Sequence, residues 1–245
     1  MGKQKKIWIG TSGWHYNHWL GPFYPKNLAK KDFLSFYSQK FLTAEINNTF
    51  YKVPQKQTLL NWKNEVPAHF IFSAKASQYI THMKKLKDPQ EPVARFFSQI
   101  EALGEKLGPI LFQLPPHWKI NPSRLDSFLK ALPSEFKYVF EFRDPSWFHE
   151  DTYSILKEQG AAFCIYDFNR RLSPKEVTAE FVYIRLHGPD RPYQGQYDKK
   201  NLSGWTEDIS KWKKQGKEVF CYFDNDKAGY AAQDALHLKQ ILDKE

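Results

Sequence analysis

The chain is short of cysteine, of glycine-rich phosphate turns and of long apolar runs, and each shortage closes off a class of protein. Its two cysteines, Cys164 and Cys221, lie in apolar strand-like runs without CxxC spacing. That excludes a disulfide framework and a zinc or redox motif of the CxxC kind. Buried, reduced thiols are the expectation, and with them a cytoplasmic protein. No run approaches the roughly 18 apolar residues that a membrane span requires, so no membrane partner is expected. The basic start, Met1-Gly-Lys-Gln-Lys-Lys6, leads into an apolar stretch that stops at Ile9, too short for a signal-peptide core. Lys6 also stands where a myristoylation signal has Ser or Thr. Neither GxGxxG nor GxxxxGK followed by Ser or Thr occurs, which counts against an open, doubly wound nucleotide-binding sheet.

Acidic residues are the minority, 27 against 36 basic ones, for a formal charge of +9. Such a balance favours an anionic partner, nucleic acid included. Much of the excess, however, sits in pairs such as Lys30-Lys31, Lys84-Lys85, Lys199-Lys200 and Lys213-Lys214, spread along the whole chain. A solvated surface is the simpler reading of that spread. A length of 245 residues buries a core without help from metals or disulfides. No repeat, linker or low-complexity segment interrupts it, so residues 1–245 are expected to form a single domain.

What the chain does contain is a regular alternation. Strand-like runs fall at 7–13, 44–50, 70–76, 109–114, 138–143, 162–168, 181–186 and 219–224, with amphipathic stretches between most of them. Helices are predicted over 32–41 with Asp32 as cap, 55–65, 91–107 ended by Gly108, 122–132, 150–159, 206–215 and 228–242. Eight strands separated by helices read as parallel βαβ units, and the economical closure is a (β/α)8 TIM barrel. Its sixth unit is irregular, because only residues 169–180 join the strands on either side.

Charge inside these strands is the informative anomaly. Tyr138-Val-Phe-Glu141-Phe-Arg143 places Glu141 and Arg143 on one face and Phe140 and Phe142 on the other. Glu45 and Asn47 share a face, as do Tyr183, Arg185 and His187. Burial of a charge costs several kcal/mol unless it is paired, so a repeated habit calls for a reason. In (β/α)8 proteins the site lies at the C-terminal ends of the strands. Those ends carry Trp14 and Tyr16, Glu45 and Asn47, Lys75, Gln113, Glu141, Arg143 and Trp147, Asp167, Arg185 and His187, then Asp224 and Asn225.

Three functions compete for this set. In an enzyme of hydrolase or lyase type, Glu141 or Glu45 acts as general acid or base and His187 as second proton carrier. Lys75, Arg143 and Arg185 then hold a phosphate or carboxylate of a small anionic substrate. Gln113, Asn47 and Asn225 add polar contacts, and Trp14, Tyr16 and Trp147 flank a planar or apolar part. No cofactor is required. A divalent metal on Glu45, Glu141, Asp167 and His187 is disfavoured by the three neighbouring cations. The second class is a non-catalytic nucleic-acid or nucleotide-binding protein, whose loop aromatics stack on bases. A glycosidase using Glu45 and Glu141 is a weaker third, since the cations suit that chemistry poorly. The bland alternative throughout is structural: buried ion pairs, packed aromatics and strand-end caps.

Several segments taken together resemble the YecE-like family, domain of unknown function 72. They are Gly10-Thr-Ser-Gly-Trp14 with Tyr16 and Trp19, Glu45-Ile-Asn-Asn-Thr-Phe-Tyr51, Phe72-Ser-Ala-Lys75, and Gln113-Leu-Pro-Pro116. Glu141-Phe-Arg143 with Ser146-Trp147, Tyr183-Ile-Arg185-Leu-His187-Gly188 and Tyr222-Phe-Asp-Asn225 continue the series. The resemblance implies a TIM-barrel fold and no established reaction. Asp224 and Asp226 flank Asn225 where relatives tend to read Asn-Asn before the acid, and Gln233 stands where they often carry Asn. That departure makes Asn225, rather than Asp224, the expected member of the site.

Overall fold

A computed structural model describes residues 6–244. Met1–Lys5, the bulk of the basic start weighed above as a leader or lipidation signal, and Glu245 lie outside the described residues. Strands and helices alternate as β1 (Ile7–Thr11), α1 (Phe33–Lys40), β2 (Thr43–Ile46), α2 (Lys56–Glu65), β3 (Ile71–Lys75), α3 (Gln90–Ile100), β4 (Leu107–Gln113) and α4 (Pro122–Lys130). They continue as β5 (Tyr138–Glu141), α5 (Glu150–Glu158), β6 (Ala162–Phe168), β7 (Arg171–Leu172), β8 (Phe181–Leu186), α6 (Lys199–Lys214), β9 (Glu218–Phe223) and α7 (Tyr230–Leu242). This is the (β/α)8 class. The expected irregularity is present: between β6 and β8 there is no helix, only β7, which folds back antiparallel on β6 through Asp167↔Leu172 and Phe168↔Arg171.

The chain divides into two compact units. The first comprises the stretch up to Glu45, Ile165–Ser173 and everything from Glu180 onward. Here β9 lies parallel between β1 and β8, with Thr11 and Leu186 both opposite Phe223 and Arg185 opposite Tyr222. Ser12 bridges Glu45 at the end of β2. Its core is aromatic: Trp19, Phe23, Tyr24, Phe33 and Tyr37 share ring contacts, the Tyr24–Phe33 pair stacked at 4.2 Å. The Tyr37 hydroxyl ties this cluster to the strands by accepting the Thr11 N–H at 2.9 Å and donating to the Thr43 carbonyl at 3.0 Å.

The second unit comprises Ile46–Cys164 and Pro174–Ala179. In it β4 runs parallel to β3 and β5, and β5 to the start of β6. Phe112, Phe128, Phe140, Phe142, Phe163 and Trp147 form its stacked core. Every charged side chain that the sequence marks inside a strand belongs to one unit or the other, and each has its own partners there.

Three expectations about helices need correction. The stretch 91–107 is not one helix: α3 ends at Ile100, a 3-10 turn follows, and Gly104 at φ +54° reverses the chain. Gly108 belongs to β4, where a Cβ would collide with Ile71 and crowd the Phe72 carbonyl, so glycine there permits close strand approach. Helix α6 begins at Lys199 rather than 206, because Asp198 accepts the Asn201 N–H at 2.7 Å and caps it. Asp32 occupies the N-cap position of α1 without making a side-chain capping bond. Both cysteines are buried and outside any disulfide, as expected. The paired lysines at 30–31, 199–200 and 213–214 are exposed. Among the described residues no helix is long and apolar enough to cross a membrane.

Gly10 supports a further expectation. A Cβ at that position would run into the backbone carbonyl of Thr43. Gly10→Ala should therefore destabilise the protein by about 2–3 kcal/mol, a fall in Tm of roughly 5–10 °C by calorimetry. An unchanged Tm would show that β1 and β2 can separate freely.

Candidate functional site

Strand β8 supplies the centre of the first unit's polar network. Its two-residue alternation sends Tyr183, Arg185 and His187 to one side, as the sequence implies, and all three are buried. Arg185 is 1 % exposed and ringed by acceptors. Its Nε donates to both Glu45 carboxylate oxygens at 3.1 and 3.0 Å, and its Nη2 donates to Glu45 Oε1 at 2.8 Å and to Asp224 Oδ2 at 3.0 Å. Nη2 also reaches Ser12 Oγ at 3.1 Å. Glu45 in turn accepts the hydroxyls of Tyr183, at 2.6 Å, and of Ser12.

The guanidinium also sets the state of His187. Arg185 Nη1 lies 3.2 Å from His187 Nε2. A guanidinium can only donate, so Nε2 is the acceptor and the imidazole proton resides on Nδ1. That nitrogen is 2.9 Å from Asp224 Oδ2. Through Oδ2, Asp224 thus accepts from Arg185 and lies within ion-pair distance of the His187 ring. It is also the most exposed of the four, at 7 % against 0–1 % for Glu45, Arg185 and His187.

Around this centre two loops are fastened by one helix. Asp234 of α7, fully buried, accepts the Tyr197 N–H at 3.0 Å and the Asn225 amide at 2.8 Å. Asn225 donates as well to the Gly195 carbonyl, and Tyr197 donates its hydroxyl to Asp167 Oδ2 at 3.1 Å while accepting the Gly188 N–H. Burial raises the Asp234 and Asp167 carboxyls above their usual range, the hydrogen bonds received only partly opposing it. Burial does the same to Asp226, with the Asp224 charge adding to it. Beside these loops lies a cleft of about 410 Å3 lined by His18, Tyr193, Gln194, Asp226 and Lys227 among others. Tyr193 packs edge-on against His187 at 5.7 Å.

The second unit holds the pair that the sequence makes most conspicuous. Arg143 Nε donates to Glu141 Oε1, and the Cys164 thiol lies 3.7 Å from Glu141 Oε2. Glu141 is wholly buried and the Arg143 side chain is 8 % exposed. Gln113 stands opposite Glu141 in the β4–β5 register and is half-buried. Lys75, half-buried at the end of β3, places Nζ 4.3 Å from the centre of the Phe50 ring. Burial first, and the Lys75 charge second, hold the His82 imidazole below its ordinary value. Asn47 is half-buried, with its side-chain oxygen enclosed and unbonded.

The aromatic candidates are packed more tightly than loop positions suggest. Trp147 is fully buried, stacks on Phe142 at 4.8 Å and donates its indole N–H to the Trp118 carbonyl at 2.6 Å. Trp14 is 2 % exposed. Tyr16 is half-buried against Trp19, its hydroxyl donating to the Ser12 carbonyl at 2.7 Å. Asn225 is a loop anchor, and Asp224, set aside on the resemblance, carries the ionic contacts. Sequence reasoning also passed over Ser12, Tyr183 and Tyr197. Tyr183 was visible as a third member of the Arg185 alternation; the other two give no signal without the register. The metal grouping of Glu45, Asp167 and His187 with Glu141 is not assembled as a donor set: among the described residues, no three His, Cys, Asp or Glu side chains stand in a metal-holding cluster.

A (β/α)8 protein with a buried carboxylate–guanidinium–imidazole network is the class defined by these features. The model of the family described as "Protein of unknown function DUF72" matches residues 8–245, and the chain belongs to that family. It is similar to the UPF0759 protein YunF of Bacillus subtilis, 26 % identical over 98 % of this chain and 95 % of that protein. UPF0759 protein YecE of Escherichia coli is 29 % identical over 58 % of this chain and 50 % of its own length. Among solved structures, the DUF72 family protein TM1631 of Thermotoga maritima superposes with a TM-score of 0.89 at 30 % identity, covering 97 % of this chain and 99 % of that one. The DUF72 family protein EF0366 of Enterococcus faecalis, at 20 % identity and TM-score 0.80, covers 98 % of each and shares the fold.

Two measurements check the network. Arg185→Met leaves two carboxylates buried without their cation and should cost about 3–5 kcal/mol in denaturant unfolding. Adding Glu45→Gln should recover part of that loss, because one stranded charge is removed; a strictly additive double variant would contradict the pairing. The second concerns Asp234. A carboxyl raised in the folded state holds its proton more tightly there than in the unfolded chain. Its contribution is therefore present at low pH and lost as pH rises through the folded value. Asp234→Asn should gain Tm relative to the parent as pH is raised from about 4 to 7, and a constant difference would contradict the shift.

Proposed function

We propose that the protein is an enzyme of hydrolase or lyase type that moves a proton through Asp224 and His187. The observation that carries this reading is the position of Asp224: it accepts from Arg185 at 3.0 Å, lies 2.9 Å from His187 Nδ1, and is the least covered member of the buried quartet. A carboxylate paired with a guanidinium and close to an imidazole nitrogen suits general acid–base work, in which geometry comes first. Four buried ionisable groups converging at one place are also more than a fold needs for stability, since buried ion pairs contribute little net.

Arg185 is a positioning residue in this scheme rather than a clamp for substrate. One guanidinium faces two carboxylates, so its charge is already answered and a substrate anion gains little there. Glu45, both oxygens committed to Arg185, Tyr183 and Ser12, holds the guanidinium in place. An anionic substrate group is better received at the cleft of His18 and Lys227, next to Asp226. Glu141, paired with Arg143, keeps a place as a second acid–base candidate in the other unit.

The experiment is a turnover screen over phosphate- and carboxylate-bearing substrates, followed by variants of any activity found. Asp224→Asn should lower kcat by about 10²–10⁴-fold while leaving the unfolding transition nearly in place. Lys227→Gln should raise KM and spare kcat. Turnover unaffected by Asp224→Asn but abolished by Glu141→Gln would move the chemistry to the second unit.

A further inference from the structure

The second unit has a cleft of about 490 Å3 that the acid–base network does not use. It is built by residues following β2 and β3 and by one face of α3, and its lining includes Tyr51, Lys52, Gln55, Tyr79, Arg95 and Gln99. Two features set it apart. Tyr51 is 76 % and Tyr79 40 % exposed, so two phenol rings face water where tyrosine usually finds at least partial cover. Among the described residues lining the cleft none is acidic, while Lys52 and Arg95 are both present. Tyr79 also opens a single π-helical turn, Tyr79–Met83, an irregularity that tends to accompany functional sites because it re-aims side chains.

Each group narrows the ligand. Exposed aromatic faces offer stacking to a planar ring, and stacking on a base is tolerant of base identity. Two cations without a competing carboxylate favour an anion, with Arg95 able to engage phosphate through two parallel N–H groups. Gln55 and Gln99 add amide groups of the kind that read the edge of a base. Gln99 is fixed by accepting the Lys56 N–H at 3.0 Å. A volume of this size falls in the range of small-ligand sites, about 300–1,000 Å3. A sugar would use the rings but not the cations; an inorganic anion would use the cations but not the rings.

We propose that this cleft binds a nucleobase carrying a phosphate, with the base on Tyr51 or Tyr79 and the phosphate on Lys52 and Arg95. A free nucleotide and the end of a single strand present the same chemistry. Two probes separate them: AMP by titration calorimetry, and a fluorescein-labelled oligo(dT) of about 12 nucleotides by anisotropy, both at roughly 50 mM salt. AMP binding that competes with the oligonucleotide identifies the nucleotide as sufficient; binding of the oligonucleotide alone identifies the strand. Tyr51→Ala with Tyr79→Ala should weaken whichever probe binds by at least about tenfold. Tyr51→Phe with Tyr79→Phe, which keeps the rings, should hold affinity within about twofold. Lys52→Gln with Arg95→Gln should flatten the log–log salt dependence of oligonucleotide binding by about 1.4, and weaken AMP if that is the ligand. Absence of binding by both probes overturns the proposal, as does unchanged affinity in either the alanine or the glutamine variant. Because Asp224 and His187 play no part in the cleft, Asp224→Asn should leave this binding intact whatever it does to turnover.

Discussion

A guanidinium taken out of water between two carboxylates is the constraint on which the first unit turns. Arg185 on β8 reaches Glu45 at the end of β2 and Asp224 just past β9, so one side chain ties together parts of the chain 140 and 39 residues away. The enclosure that makes this contact strong also makes it obligatory. With water excluded, the guanidinium cannot be removed without stranding both carboxylates, and Ser12 and Tyr183 add their hydroxyls to Glu45. The same enclosure decides the imidazole tautomer, because a neighbour that can only donate leaves His187 one way to hold its proton.

Stability alone is a poor explanation for such an arrangement. Well-packed apolar side chains of similar volume would usually serve as well, and the flanking aromatic clusters show that the chain has the means to build them. The second unit repeats the habit on a smaller scale, with Glu141 and Arg143 against Cys164 in an otherwise aromatic interior. The contrast between the two is exposure: the first network ends on Asp224 beside charged loops, whereas Glu141 is wholly covered.

Much of this could be read before any coordinates. Strand positions follow from short apolar runs, and β6 and β8 fall at the expected residues, but β1, β2 and β5 stop at Thr11, Ile46 and Glu141, short of the expected 13, 50 and 143, so Asn47 and Arg143 lie beyond their strands. The alternation Tyr183–Arg185–His187 fixes a shared face because a strand has period two. What periodicity does not carry is register, which decides partners. Glu141, the last residue of β5, and Arg143 just past it are two residues apart in the chain, so that contact is local and legible; Arg185 with Glu45 and Asp224 depends on how separate strands align. Gly104 escaped for a different reason: the apolar spacing of α3 continues through Leu103 and Leu107 while a left-handed glycine has already turned the chain. Trp147 looked like a rim aromatic because its loop position is visible and its stacking on Phe142 is not.

Asp234 accepts from Tyr197 and Asn225 with the same carboxylate oxygen. The loop after β8 and the loop after β9 consequently share one hinge pin on α7. Each loop is tied by its own bond to that one oxygen. Loss of that single oxygen would release both loops together.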